Sequence, residues 1–236
     1  KYFLKILLNM KQNFTILFDL DGTLVDTAPD LMRAHNHVMK KFGYPTKSTD
    51  EIRNLVGQGA GAMLGRSIWG QAKKEFGKVQ DENIKKEMVK DFVDFYGNNI
   101  VNESTLINGV KDFLIWAKAK NISMGVCTNK QEHLAVDLLK KIGIYDFFEY
   151  VAGHNTFEYC KPDPRHLTSV IEILSGDIKK SLMIGDSETD ANAAKEAGIP
   201  VILMEDGYTE KNTTEIYHNH LVKDFVGIEK IISRYL

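Results

Sequence analysis

Cysteine is nearly absent from this chain, with Cys127 and Cys160 the two present in 236 residues. Two thiols so placed give no disulfide framework, and a reducing, cytoplasmic setting is the simpler expectation. Excess charge of either sign is also missing: 30 Lys and Arg stand against 32 Asp and Glu, a formal net charge of −2. That balance argues against nucleic acid and anionic membrane surfaces as partners. No run approaches the roughly 18 apolar residues of a membrane span. Internal repeats and low-complexity segments are lacking as well. What remains is 43% hydrophobic and 26% charged residues, the make-up of an ordinary globular protein. The length suits one domain with an insertion, or two modest domains. The stretch from Lys1 to Met10 is basic and apolar, but its apolar block is short and no small-residue cleavage site follows. It reads as a dispensable extension or an upstream start rather than a targeting segment.

Among the features present, one stretch stands out. The apolar run Phe14-Thr15-Ile16-Leu17-Phe18 stops at Asp19-Leu20-Asp21-Gly22-Thr23. Five apolar or β-branched residues closed by a glycine turn read as a buried strand. Two carboxylates at its exit need partners or a metal if they are desolvated.

The rest of the chain divides into two patterns. Residues 28–104 carry helical spacing over Pro29–Phe42, Gly59–Phe76 and Asp81–Asn98, with little strand between. In the third helix Ile84, Met88, Phe92 and Phe95 make an apolar face, Asp81 is the expected N-cap and Gly97-Asn98-Asn99 the stop. From residue 105 helices and strands alternate. Helices are expected at Val110–Lys120, Glu132–Ile142, Pro164–Leu174 and Glu188–Ala197, and strands at Ile122–Thr128, Phe148–Ala152, Ser181–Asp186 and Pro200–Met204. Such alternation predicts an α/β fold whose parallel sheet is covered on both faces. The expected division is a core of residues 1–27 and 105–236 and an inserted all-helical cap of residues 28–104.

Asp19, Thr128 and Asp186 each fall at the C-terminal end of an expected strand, where open parallel sheets place their ligands. Together Asp19, Asp21, Asp186 and Asp190 against Lys161 leave three uncompensated negative charges in one crevice. Like charges ~4 Å apart repel by about 4 kcal/mol even at an effective dielectric of 20. A hard divalent cation with oxygen ligands, Mg²⁺, offsets this and admits a phosphate. In that chemistry Asp19 is the nucleophile toward phosphorus. Asp21 is the general acid and then the general base. Gly22 and Thr23 form the turn whose backbone approaches the phosphoryl oxygens. Thr128 and Asn129 donate to those oxygens, and Lys161 neutralises developing charge. Asp186 ligates the metal with Asp19 and the carbonyl of Asp21; Asp190 either ligates directly or sits one step behind.

This set, in this order, resembles the haloacid dehalogenase superfamily: Asp19 and Asp21 match its first motif, Thr128 its second, Lys161 its third, Asp186 and Asp190 its fourth. The resemblance spans about residues 14–210 and implies a Rossmann-like core with a helical cap. The second aspartate marks its phosphatase and mutase branch. Within it the chain is most similar to the phosphoglycolate phosphatases, through Leu55-Val56-Gly57-Gln58-Gly59, Thr128-Asn129-Lys130, Cys160-Lys161-Pro162-Asp163-Pro164, Gly185-Asp186-Ser187, Ala193 to Gly198, and Gly207-Tyr208. It departs at Leu106-Ile107-Asn108-Gly109-Val110, where those enzymes carry Tyr-Pro-Gly before the valine. The resemblance implies Mg²⁺-dependent hydrolysis of a small phosphomonoester through an aspartyl-phosphate, 2-phosphoglycolate first, by a monomer or homodimer. A phosphosugar mutase or inorganic pyrophosphatase on the same fold is the alternative, and a non-catalytic regulatory or binding protein a further one.

Recognition of the organic part of this phosphorylated metabolite is expected in the cap. Backbone amides of Gly57-Gln58-Gly59, with Arg53 or Arg66, are the candidates for a small carboxylate. His35-x-His37 does not share a helix face, and His218-x-His220 has no completing ligands, so neither is expected to hold metal. Cys127, Trp116 and the Phe92–Tyr96 cluster read as packing, and Cys160 beside Lys161 as a thiol of lowered pKa.

Overall fold

A computed structural model describes residues 14–69 and 82–236, with side chains described for 14–68 and 85–236. The 1–10 extension, the end of the Gly59–Phe76 helix, the Asp81 cap and the side chain of Ile84 lie outside this description.

Strand β1 (Thr15–Phe18) is buried along its whole length and sits inside a six-stranded parallel sheet. Two further strands leave the core here as an antiparallel ribbon: β2 (Val25–Asp26) pairs with β3 (Thr105–Leu106), Val25 opposite Leu106. The remaining sheet strands are β4 (Ser123–Cys127), β5 (Tyr150–Ala152), β6 (Ser181–Gly185), β7 (Val201–Met204) and β8 (His220–Val222), in the order β5-β4-β1-β6-β7-β8. Alternation along β1 explains its continuous apolarity. Ile16 and Phe18 join the larger apolar cluster on one face, while Leu17 joins a second cluster on the other. Phe18 is itself packed among the rings of Phe113, Phe148 and Phe225 at 5.7–6.4 Å. This is the α/β, Rossmann-like arrangement in which helices cover both faces of a parallel sheet.

Among the described residues four α-helices lie between β2 and β3: α1 (Ala28–Phe42), α2 (Thr49–Arg53), α3 (Ala60–Trp69) and α4 (Glu82–Asn98). Five more follow along the core: α5 (Val110–Ala119), α6 (Glu132–Ile142), α7 (Arg165–Ile173), α8 (Glu188–Ala197) and α9 (Glu229–Ile232). The exit and return of the helical insert are fastened by one buried carboxylate. Asp30 accepts backbone N–H bonds from Asn102, Glu103 and Ser104 and the Ser104 hydroxyl at 2.7 Å. Inside the insert, buried His35 on α1 bonds Ser67 on α3 at 2.6 Å.

Five of the described α-helices and strands lie outside the sequence expectation: helices α2 and α9 and strands β2, β3 and β8. Helix α2 was not anticipated, although Ser48 and Glu51 form a reciprocal capping box at its start. Strand β8 was not anticipated either; its three residues are only half-buried, so no apolar run announces it. Among the described residues no helix is long and apolar enough to cross a membrane.

Candidate active site

Three strand ends meet in one crevice. Asp19 follows β1, Thr128 follows β4 and Asp186 follows β6, and β1 lies between the other two. The Asp19 N–H donates across to the Ile184 carbonyl at 2.9 Å, which fixes the carboxylate at the sheet edge. Asp19, Asp186 and Asp190 each present an oxygen within 4.8 Å of the others.

Lys161 is the cation among them. Its ammonium is 2.9 Å from Asp19 Oδ1 and 2.5 Å from Asp190 Oδ1, with 1% of the side chain exposed. Burial opposes that charge, yet Asp19 and Asp190 hold the lysine above its ordinary pKa range. Asp190 also closes the start of α8. Its Oδ2 accepts from the Asp186 and Ser187 N–H groups at 3.2 and 3.1 Å and from the Ser187 hydroxyl at 2.8 Å. Both oxygens of Asp190 are thus engaged by the loop and the lysine.

One lysine does not neutralise the cluster. Burial, with Asp190 and Asp21 nearby, pushes the Asp19 carboxyl up to about 6 against the pull of Lys161. Burial and then Asp19 raise Asp186 well above the carboxylate range, although Asp186 Oδ2 accepts the Tyr208 N–H at 2.7 Å. Two buried oxygen donors that resist ionisation together are the donor set a hard divalent cation fits.

Gly22 makes the close packing possible. Its φ is +79°, and a Cβ there would lie 2.1 Å from Asp186 Oδ2. Asp21, one residue earlier, has partners of its own outside that cluster. Its Oδ1 accepts the Thr27 hydroxyl at 2.6 Å and pairs with the Lys130 ammonium at 2.9 Å. The Thr128 hydroxyl accepts the Lys130 N–H at 3.2 Å, which leaves its own proton to give.

The remaining expected contacts fall differently. The Asn129 amide spends its N–H donors on the carbonyls of Gly57 at 3.0 Å and Lys161 at 2.9 Å, so it ties the insert to the core. Thr23 is buried with no partner for its hydroxyl and does not line the cavity. Arg53 pairs with Asp26 at 2.6 Å and with Asp50 at 3.1 Å. Arg66 donates to the carbonyls of Leu55 and Val56 and lies 3.6 Å from Glu210. Neither arginine lines the cavity, each being committed to these other partners. Cys160 sits 3.1 Å from His154 Nδ1, and burial raises its thiol pKa where the sequence suggested a lowered one.

A cavity of about 370 Å³ opens between this crevice and the insert. Asp19, Asp21, Thr128 and Lys130 form its floor, and Gly57 and Gly59 part of its rim. Phe92 and Tyr96, which the sequence assigned to packing alone, form its wall. Two residues given no role by the sequence stand at the site. Lys130 reaches Asp21, and Tyr208 holds Asp186 by its backbone while its hydroxyl bonds Asp26 and the Ala28 N–H. Both follow strand ends, β4 and β7, and that position was the available signal.

Comparison with known proteins agrees with this geometry. Residues 16–204 match the model of the haloacid dehalogenase-like hydrolase family. The chain is 36% identical to a phosphoglycolate phosphatase of Mesorhizobium japonicum, over 89% of this chain and 90% of that one. It is 37% identical to one of Caulobacter vibrioides, over 92% of this chain and 89% of that one. A crystal structure of a predicted phosphoglycolate phosphatase from Haemophilus somnus superposes with a TM-score of 0.84 at 31% identity, over 94% of this chain and 99% of that one.

Proposed function

The chain belongs to the haloacid dehalogenase-like hydrolase family and is a phosphatase; on that premise we propose that it is a Mg²⁺-dependent enzyme that hydrolyses 2-phosphoglycolate to glycolate and phosphate through an aspartyl-phosphate on Asp19. The observation that carries this reading is the buried Asp19–Lys161–Asp190 chain beside Asp186 at adjoining strand ends. The choice of substrate is supported by the names of the relatives above.

An Asp19 carboxylate oxygen attacks phosphorus, and the bond from phosphorus to the ester oxygen breaks. Asp21 gives its proton to that leaving oxygen. Thr27 and Lys130 both hold Oδ1, which leaves Oδ2 as the proton-carrying atom. Water then attacks the phosphorus of the aspartyl-phosphate, Asp21 takes the water proton, and Asp19 leaves as a carboxylate with inorganic phosphate released. The Thr128 hydroxyl donates to a phosphoryl oxygen, and Lys161 stabilises negative charge as it shifts. Asp19, Asp186 and the Asp21 carbonyl would hold Mg²⁺, and Asp190 acts one step behind through Lys161. The ion supplies charge neutralisation for a dianionic ester entering an acidic crevice. The helical insert, residues 28–104, serves as the cap that covers the organic part.

Asp19→Asn tests the nucleophile. Phosphate release from 2-phosphoglycolate with Mg²⁺ is expected to fall by about 10⁴-fold or more. Appreciable Mg²⁺-dependent hydrolysis by that variant would sink the assignment.

A further inference from the structure

We propose that Lys130, together with the Tyr96 hydroxyl, is the subsite for a second anionic group of the substrate, a carboxylate one carbon away from the ester oxygen. It is therefore the feature that selects short phosphorylated carboxylates. The proposal deepens the reading above and rests on it.

Elimination leads to Lys130. An anionic group in the cavity needs a cation, and Lys130 is the one lysine or arginine among the described residues lining it. Lys161 is already held between Asp19 and Asp190. Arg53 is spent on Asp26 and Asp50 and Arg66 on the Leu55 and Val56 carbonyls, and neither lines the cavity. The insert's wall is mainly apolar, with Val89, Phe92 and Val93 among its side chains; Gln58, Gln131 and His154 also line the cavity, but none is a lysine or arginine beside Asp21.

Lys130 is also built into place. Its side chain is 6% exposed, its ammonium lies 2.9 Å from Asp21 Oδ1, and it sits 4.4 Å from the centre of the Tyr96 ring on α4. An ammonium has three donors, of which the Asp21 pair occupies one. Tyr96 supplies the second observation. It is 1% exposed, lines the cavity, and its buried hydroxyl has no hydrogen-bond partner among the described residues. Burial, with Asp21 and Asp30 nearby, holds that phenol well above its ordinary pKa, so it remains a donor. A buried donor without an acceptor is costly, and a carboxylate oxygen at Lys130 is an acceptor of the right kind.

Distance is compatible with a short substrate. Asp21 touches the leaving oxygen, and Lys130 touches Asp21, so the hydrogen bonds on either side of the Asp21 carboxyl bring a group on Lys130 to within about 10 Å of the ester oxygen. In a two-carbon phosphorylated acid the carboxylate oxygens lie about 3–4 Å from the ester oxygen by ordinary bond lengths, inside that reach.

The test compares kcat/KM for 2-phosphoglycolate and for ethyl phosphate, which has the same spacer and no carboxylate. In wild type the acid is preferred. Lys130→Met is expected to shrink that ratio by about thirtyfold or more, since a buried charged partner is removed. Tyr96→Phe, which keeps the ring, is expected to shrink it by about three- to tenfold. Lys130→Arg keeps the charge and retains a preference for the acid. If Lys130→Met lowers both esters in proportion, the residue serves Asp21 alone and the subsite is overturned. Binding reads a variant too slow to assay. In an Asp19→Asn background, Lys130→Met is expected to weaken calorimetric binding of 2-phosphoglycolate by the same factor, and equal weakening of ethyl phosphate overturns the subsite. A wild-type enzyme that hydrolyses neither ester overturns the underlying reading instead.

Discussion

The floor and the roof of the cavity are made by different means. The floor is a set of buried charges at strand ends, each held by a second charge or by backbone: Asp19 by Lys161, Lys161 by Asp190, Asp186 by the Tyr208 N–H. The roof is a helical insert that meets the cavity with mainly apolar side chains and three glycines, while its Arg53 and Arg66 are spent on other partners. The floor tolerates almost no displacement, because moving one member strips a buried charge of its partner. Apart from the buried Asp30 carboxylate at its two connections, the roof is held by packing and partly exposed ion pairs, so it can vary in detail without unmaking the chemistry below. Chemistry is thus fixed by the sheet, and selection is left to where the insert meets it.

A matched pair of glycines gives the strongest way to break this contrast. Both have positive φ, +79° at Gly22 and +84° at Gly59. At Gly22 an added methyl would also lie 2.1 Å from Asp186 Oδ2 and 2.9 Å from the Tyr208 ring. At Gly59 the nearest atom is the Asn129 carbonyl oxygen at 3.6 Å. Gly22→Ala is therefore expected to displace Asp186 and lower kcat by about 10²-fold or more. Gly59→Ala meets only backbone strain of about 1–2 kcal/mol and changes kcat/KM by a few-fold. Phosphate release and thermal melts of the two variants measure this; equal losses would mean the roof is as constrained as the floor.

The same contrast decided what could be read from the sequence. Helices Glu132–Ile142 and Glu188–Ala197 are found at the bounds the residues suggested, since each has its own apolar period and a closing glycine, Gly143 or Gly198. The floor residues Asp19, Thr128 and Asp186 were legible because a strand-end rule places them without any knowledge of their partners. Lys130 was adjacent to that signal and still missed. Its meaning comes from Asp21 and from Tyr96, which lie far away along the chain and on another element. Arg53 and Arg66 illustrate the converse, for a cation beside a glycine loop suggests an anion site only until Asp26, Glu210 and the loop carbonyls are placed. Charge is visible in a sequence, whereas the partner that satisfies it is not.

Two buried histidines carry the comparison into pH. His166 in the core accepts the Lys161 N–H at Nδ1, 3.3 Å away, and burial pushes its pKa down to about 3. His35 in the insert is lowered by burial as well, while bonding Asn36 and Ser67. In both cases the unfolded chain takes up the proton first, so stability is present above an unfolded pKa of about 6.5 and is lost as pH falls. For His166 the loss runs from about 6.5 down to about 3, at about 1.4 kcal/mol per unit. That amounts to about 3 kcal/mol at pH 4.5. Urea unfolding at pH 7 and pH 4.5 is expected to show a flatter acid limb in His166→Gln, and a smaller flattening in His35→Gln. Equal flattening would remove the distinction between the two regions in this respect.

The smallest expected effect is the sharpest discriminator. Arg53 and Asp26 are about one-third exposed, a setting in which an ion pair contributes about 0.5 kcal/mol. Arg53→Met is accordingly expected to lower stability by less than about 1 kcal/mol. The preference for 2-phosphoglycolate over ethyl phosphate should stay as in wild type, because the guanidinium is turned to Asp26 and away from the cavity. Kinetics on the two esters beside Lys130→Met decide the matter. Should Arg53→Met abolish the preference while Lys130→Met leaves it intact, the cation that reads the carboxylate belongs to the insert. Selection would then rest with the helical roof itself, and Lys130 would be one more member of the floor.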